Sequence, residues 1–215
     1  MKTVKGLFLL LFFFSFLIQK TQAQVRIFGG PQLTSAKYSV LNVKQATEYK
    51  QGFVAGIAIQ SLVEGPLFIV PTLYYSQKGY KVTFNQPSAP PDANAKNNNT
   101  TIHTIAFAPL FQVNLSKAKN HVFFRFGPGI DVAVSGREVF DSTGNKRVDR
   151  SLNIGSTGYS PATAFFNVQA GYEVGAFSIS ASYEHGLVSF NNADFGPTIL
   201  HRIAGVSLGW KFGKK

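Results

Sequence analysis

Residues Ala164 to Leu187, AFFNVQAGYEVGAFSISASYEHGL, alternate in polarity with a period of two. Phe166, Val168, Ala170, Tyr172 and Val174 interleave with Phe165, Asn167, Gln169, Gly171 and Glu173. After Gly175 the pattern resumes, with Phe177, Ile179, Ala181 and Tyr183 against Ser178, Ser180, Ser182 and Glu184. That period predicts two β-strands joined by a tight turn at Val174-Gly175-Ala176. One face is aliphatic and aromatic, the other small and polar. A closed barrel in lipid needs this division, because its outside meets hydrocarbon and its lumen is polar. A soluble sheet packed on a core shows the same alternation, so the remainder of the chain has to decide.

Six more strand segments follow from the same rule. They are Val25–Leu33, Gly52–Leu62, Pro66–Ser76 (with Lys78–Val82 as its extension), Thr101–Leu115, His121–Val134 and Leu200–Phe212. Long connections follow strands one, three, five and seven: 34–51, 82–99, 135–161 and 188–198. Short ones follow strands two, four and six. A soluble sandwich or calycin-like barrel has no physical reason to sort connection length by end. A membrane barrel does, with short turns on one side and longer loops on the other. The expectation is an all-β fold, an eight-stranded antiparallel up-and-down transmembrane β-barrel. The stretch 85–99, NQPSAPPDANAKNNN, is low in complexity and reads as a disordered loop.

Residues 1–23 read as an export signal peptide: Lys2 and Lys5, then the apolar run Leu7–Ile18, then Thr21-Gln22-Ala23 before a cut. A run of twelve residues is too short for a spanning helix, which needs about 20. The barrel domain is then 24–215, and the missing Lys2, Lys5 and Lys20 lower the formal charge from +11 to +8. The basic residues are scattered through loops, which fits an acidic surface such as lipopolysaccharide better than nucleic acid. There is no cysteine, hence no disulfide. No second apolar run reaches 18 residues, so a barrel is the only backbone left that could span.

The segments GFVAGIAIQ (52–60), LYYSQKGYKV (73–82), FRFGPGIDV (124–132) and GVSLGWKF (205–212) resemble the Bacteroidota outer-membrane β-barrel family often labelled porin-family or PorT-like. The resemblance covers most of the chain after residue 23. It implies an outer-membrane location and, through the PorT-like label, a part in protein secretion. Many outer-membrane proteins end on an aromatic residue, whereas here Phe212 is followed by Gly213-Lys214-Lys215.

Eight strands leave a bore about filled by side chains. Arg125, Asp131, Gln169, Glu173, Glu184 and Lys211 fall on the polar flanks and are expected inside. Charges in so narrow a space must pair, and Glu184 with Lys211 is the expected pair. The network either only stabilises the barrel or lines a gated pore or proton path. Tyr74, Tyr75, Tyr172, Tyr183, Trp210 and Phe212 are the expected aromatic girdle. For catalysis of the lipid-modifying kind the histidines to inspect are His103, His121, His185 and His201, with Glu184 and His185 on opposite faces. No G-x-S-x-G, H-E-x-x-H or metal-spaced histidine pair occurs. The expected protein is not an enzyme and has no cofactor or metal. Its expected partners are outer-membrane lipid, with lipopolysaccharide or envelope proteins at the loops.

Overall fold

The computed structural model describes residues 24–85, 94–142, 144, 146–155, 158–194 and 196–212. The expected signal peptide, most of the low-complexity loop and the terminal Gly213-Lys214-Lys215 lie outside these residues. The strands are β1 (Gln24–Val40), β2 (Val43–Lys44), β3 (Ala46–Glu48), β4 (Lys50–Glu64), β5 (Leu67–Thr83), β6 (Asn97–Asn114), β7 (Asn120–Asp141), β8 (Arg147–Ser151), β9 (Ala162–Val174), β10 (Phe177–Gly186) and β11 (Thr198–Phe212). Pairing runs β1-β4-β5-β6-β7-β9-β10-β11, and β11 returns to β1, from Val25↔Phe212 to Ser39↔Thr198. The eight long strands therefore close into an antiparallel up-and-down ring with no free edge of its own.

The turn end of the ring is tight. Gly65 and Gly175 take φ of 54° and 62°, the left-handed conformation that two-residue hairpins demand. Along each wall the apolar residues point out and the polar residues in. Ile57, Phe107, Phe126, Val168, Ile179 and Leu208 are exposed, whereas Arg26, Gln112, Arg125, Asp131 and Glu173 are buried. Such an inside-out arrangement is stable only where hydrocarbon covers the outer face, since exposed apolar area costs roughly 25 cal/mol per Å² in water.

At the loop end the arrangement turns over. On β1 the outward Leu33 gives way to an outward Lys37, while Ala36, Tyr38 and Val40 point inward and are buried. On β5 the same happens beyond Tyr75, with Lys81 outside and Tyr80 and Val82 inside. This upper part of the ring is built like a water-soluble barrel, polar outside and apolar inside.

The strands accordingly run further than their sequence patterns implied. The connection expected at 34–51 is largely strand: β1 continues to Val40, and β2 and β3 follow. That expected at 82–99 is shortened by the ladder Thr83↔Asn97. Within 135–161, β7 continues to Asp141 and β8 pairs back on it, from Arg137↔Ser151 to Asp141↔Arg147. The difference has one cause: above the membrane the outward flank is polar, and a strand with a polar outward flank has the composition of a loop. β7 spans 22 residues, against the 9–11 that cross a bilayer.

Candidate functional site: the bore and the mouth of the barrel

The bore holds two tiers of charge. In the upper tier Lys78, carried inward by β5, places Nζ 2.7 Å from Asp131 Oδ2 on β7 and 3.5 Å from Glu184 Oε1 on β10. Tyr74 donates its hydroxyl to Glu184 Oε2 at 2.9 Å, and Thr163 donates to Asp131 at 3.0 Å. In the lower tier, nearer the turn end, Arg26 of β1 and Lys211 of β11 both bond to Glu173 of β9. Arg125 donates Nε to Gln112 Oε1 at 2.6 Å and Nη1 to Gln169 Oε1 at 3.4 Å. The aromatic ring of Phe123 lies 4.5 Å from the Arg125 guanidinium and 5.6 Å from that of Arg26.

Two sequence expectations need correction. Glu184 does not pair with Lys211. The β10–β11 register sets Glu184 opposite Ile203, eight residues from Lys211 along the strand, which is about 26 Å. Lys78, Tyr74 and Arg26, the partners actually used, were missed because they sit in stretches read for their apolar neighbours. Tyr74 is also not an outward aromatic: it is buried in the bore. Tyr74 and Tyr75 are consecutive in a strand and cannot share a face. Tyr75, Tyr172, Tyr183, Trp210 and Phe212 point outward. Trp210 packs edge-on against Phe177 with ring centroids 4.0 Å apart near the turn end, and Tyr75 meets His103 toward the loop end.

The upper bore is closed by an apolar core of Ala36, Tyr38, Tyr80, Ile102 and Ile199 from the walls and Leu152, Tyr159 and Phe190 from the connections. Tyr159 and Phe190 stack at 5.1 Å. The Tyr159 hydroxyl donates to Glu138 Oε2 at 2.6 Å, and Arg150 bonds the other oxygen of that carboxylate at 2.7 Å. Burial, with Tyr80 and Glu138 close by, pushes the Tyr159 phenol well above its ordinary pKa. The connections are thus pinned into the mouth as a plug. On the exposed β7–β8 flap, Arg137 grips Asp149 with two hydrogen bonds of 2.5 and 2.6 Å and holds that carboxyl below its usual range.

The turn end is different. A vestibule of about 650 Å³ opens there, lined by Gln60, Phe68, Lys117, Lys119, His121 and Lys211 among others. Between the tiers only about 40 Å³ is free. The four histidines are dispersed: His103 and His185 lie beside outward tyrosines, His121 is in the vestibule wall and His201 is in the upper core. Among the described residues no group of His, Asp and Glu side chains could hold a metal ion.

An antiparallel ring of eight strands, apolar outside over a bilayer's thickness and charged within, defines a membrane-spanning β-barrel. The family model described as "Outer membrane protein beta-barrel domain" matches residues 13–192, and the chain belongs to that family. It is an outer-membrane β-barrel protein. No curated protein matches it. Among solved structures it is similar to Ail, the attachment invasion locus protein of Yersinia pestis, at 12% identity and TM-score 0.47, over 89% of this chain and 99% of that one. Ail in complex with the heparin analogue sucrose octasulfate gives 13% identity and TM-score 0.46, over 89% and 99% of the two chains. Neisserial surface protein A gives 12% and 0.45, over 89% of this chain and 98% of that one.

Proposed function

We propose that this protein is a closed barrel whose function is carried by the part standing outside the membrane, a rigid platform that binds a partner at the cell surface. The observation behind this reading is the apolar core at the mouth, where Leu152, Tyr159 and Phe190 are packed against Tyr38, Tyr80 and Ile199. A barrel that served only as an anchor has no use for a strand of 22 residues, about twice what a bilayer requires. A conducting barrel would not fill its mouth with aromatic side chains. Lipopolysaccharide is the first contact of such a platform. Lys37 and Arg202 face outward just above the apolar band, on neighbouring strands where Ser35 pairs with Arg202, at the height where lipid phosphates lie.

The test uses the full chain. Inserted into planar bilayers, it should pass no measurable current, and a steady conductance overturns the closed-barrel reading. On intact cells, surface cross-linking should give an adduct with the wild-type chain that Tyr159→Ala/Phe190→Ala loses while keeping its heat-modifiable barrel. An adduct that survives in the variant places the contact elsewhere. Deleting the gene and measuring protein secretion addresses the PorT-like resemblance, and a secretion defect would make the barrel part of a secretion machine.

A further inference from the structure

The charges of the bore do not balance. Among the described residues the two tiers hold four cations, Arg26, Lys78, Arg125 and Lys211, and three carboxylates, Asp131, Glu173 and Glu184. The excess sits in the lower tier, where Glu173 alone serves Arg26 and Lys211, and no described carboxylate makes an ion pair with Arg125. Arg125 is only 6% exposed and Arg26 only 2%. Arg125 Nη2 and Arg26 Nε and Nη1 are buried without a hydrogen-bond partner. A guanidinium taken out of water without a counter-charge is costly, and amide oxygens or water satisfy its N–H groups without cancelling its charge.

The space beside these groups fits a counter-ion. The cavity of about 40 Å³ is lined by Arg26, Arg125, Gln169, Ser180, Ser182 and Asn167, among others. That holds one halide or a couple of waters. The serine hydroxyls can donate, and the amide of Asn167, whose Oδ1 has no partner, offers N–H groups when turned over. Glu184 borders the cavity too, but Lys78 and Tyr74 already engage its oxygens. Lys211 and Glu173 line the turn-end vestibule and bond or neighbour Arg26, so the vestibule, with Lys117 and Lys119 at its rim, draws anions towards the site.

We propose that the bore is an anion site, holding one small monovalent ion of the halide class between Arg125 and Arg26. The ion supplies the missing negative charge and locks the lower tier. The site is independent of what the outer platform binds.

The experiment measures thermal unfolding of the refolded full chain in detergent, in sodium gluconate, chloride and bromide at equal ionic strength. Gluconate is too large for the cavity. Chloride and bromide should raise the midpoint saturably, by about 5–10 °C at a hundredfold excess over Kd. Arg125→Gln should lose the halide effect, and Lys117→Gln/Lys119→Gln should keep it. Equal midpoints in all three salts, or a halide effect undiminished in Arg125→Gln, overturn the proposal. Should Arg125→Gln fail to refold, crystals of the wild-type chain soaked in bromide decide. An anomalous peak within hydrogen-bond reach of Arg125 and Arg26 supports the site, and its absence sinks it.

Discussion

Lys78 Nζ lies 2.7 Å from Asp131 Oδ2, and both side chains are almost wholly shielded from solvent. Glu184 shares the same ammonium at 3.5 Å, so this one cation is the common ion-pair partner of two carboxylates on different strands. Lys78→Met leaves two buried acids unpaired and is expected to cost about 3–5 kcal/mol. Replacing Lys78, Asp131 and Glu184 together by apolar residues of similar volume should cost less than the single change, because no charge is then left without a partner. Urea unfolding of the refolded barrel in lipid vesicles measures both. A triple variant weaker than Lys78→Met would mean that the network is held together by something other than charge pairing.

Val168, at the centre of β9, faces outward and is 42% exposed. If hydrocarbon covers it, Val168→Arg should destabilise the barrel by about 2–4 kcal/mol. The same change in a solvent-exposed strand face would be worth a few tenths. Val168→Leu, which keeps the position apolar, is the control. Equilibrium refolding into bilayers should separate the two variants clearly, and equal stability would place Val168 in water.

The ring of Phe165 lies directly over Gly129, where a Cβ would fall 2.3 Å from Cζ. The Gly127-Pro128-Gly129 run of β7 therefore serves close packing within an unbroken strand. Phe165 is itself confined between Tyr74, at 6.4 Å, and the Lys78 ammonium, at 5.9 Å. Gly129→Val should cost about 1–3 kcal/mol through overpacking. Adding Phe165→Ala makes room for the new side chain, so a double-mutant cycle should show a favourable coupling of about 1 kcal/mol or more. Strict additivity would show that the ring moves aside freely.

Tyr159 predicts how the mouth responds to alkali. Its phenol is held neutral in the folded plug, above the ordinary pKa of about 10 that it regains when released. The sign follows: its contribution is fully present below pH 10 and is lost as the pH climbs through the raised folded value. As the pH climbs above about 10 the plug should loosen before the membrane-embedded barrel does. Absorbance titration of tyrosinate with proteolysis of 142–161 as the second readout would detect it. Tyr159→Phe, which cannot ionise, should hold the plug closed to higher pH.

The barrel could be read from the sequence because lipid imposes a simple rule, one flank greasy and one flank polar, and residues such as Phe166 to Val174 obey it without exception. The charges followed from the same parity: Arg125, Asp131, Glu173 and Glu184 alternate with outward apolar residues and lie in the bore. Which of them meet was not legible. Pairing across a barrel depends on register and on strands far apart in sequence, so Lys78 and Arg26, at 53 and 147 residues from their partners Asp131 and Glu173, leave no local trace. The plug was hidden for another reason. Tyr38, Tyr80 and Tyr159 are ordinary core residues, but the rule that finds core residues in a soluble sheet points the wrong way in a membrane barrel.

The ladder between β6 and β7 skips one residue: His103 faces Ser135 and Thr104 faces Ala133, leaving Val134 as a bulge. Below it the odd-numbered residues of β7 look inward; above it Glu138 and Phe140 do. That single extra residue acts as a gearshift between the lipid-embedded wall and the watery flap. Were Val134 instead to pair with His103, with the ladder running on unbulged, Arg137 and Val139 would swing into the mouth while Glu138 let go of Tyr159. Which way the loop-end half of β7 faces is set by one inserted peptide unit.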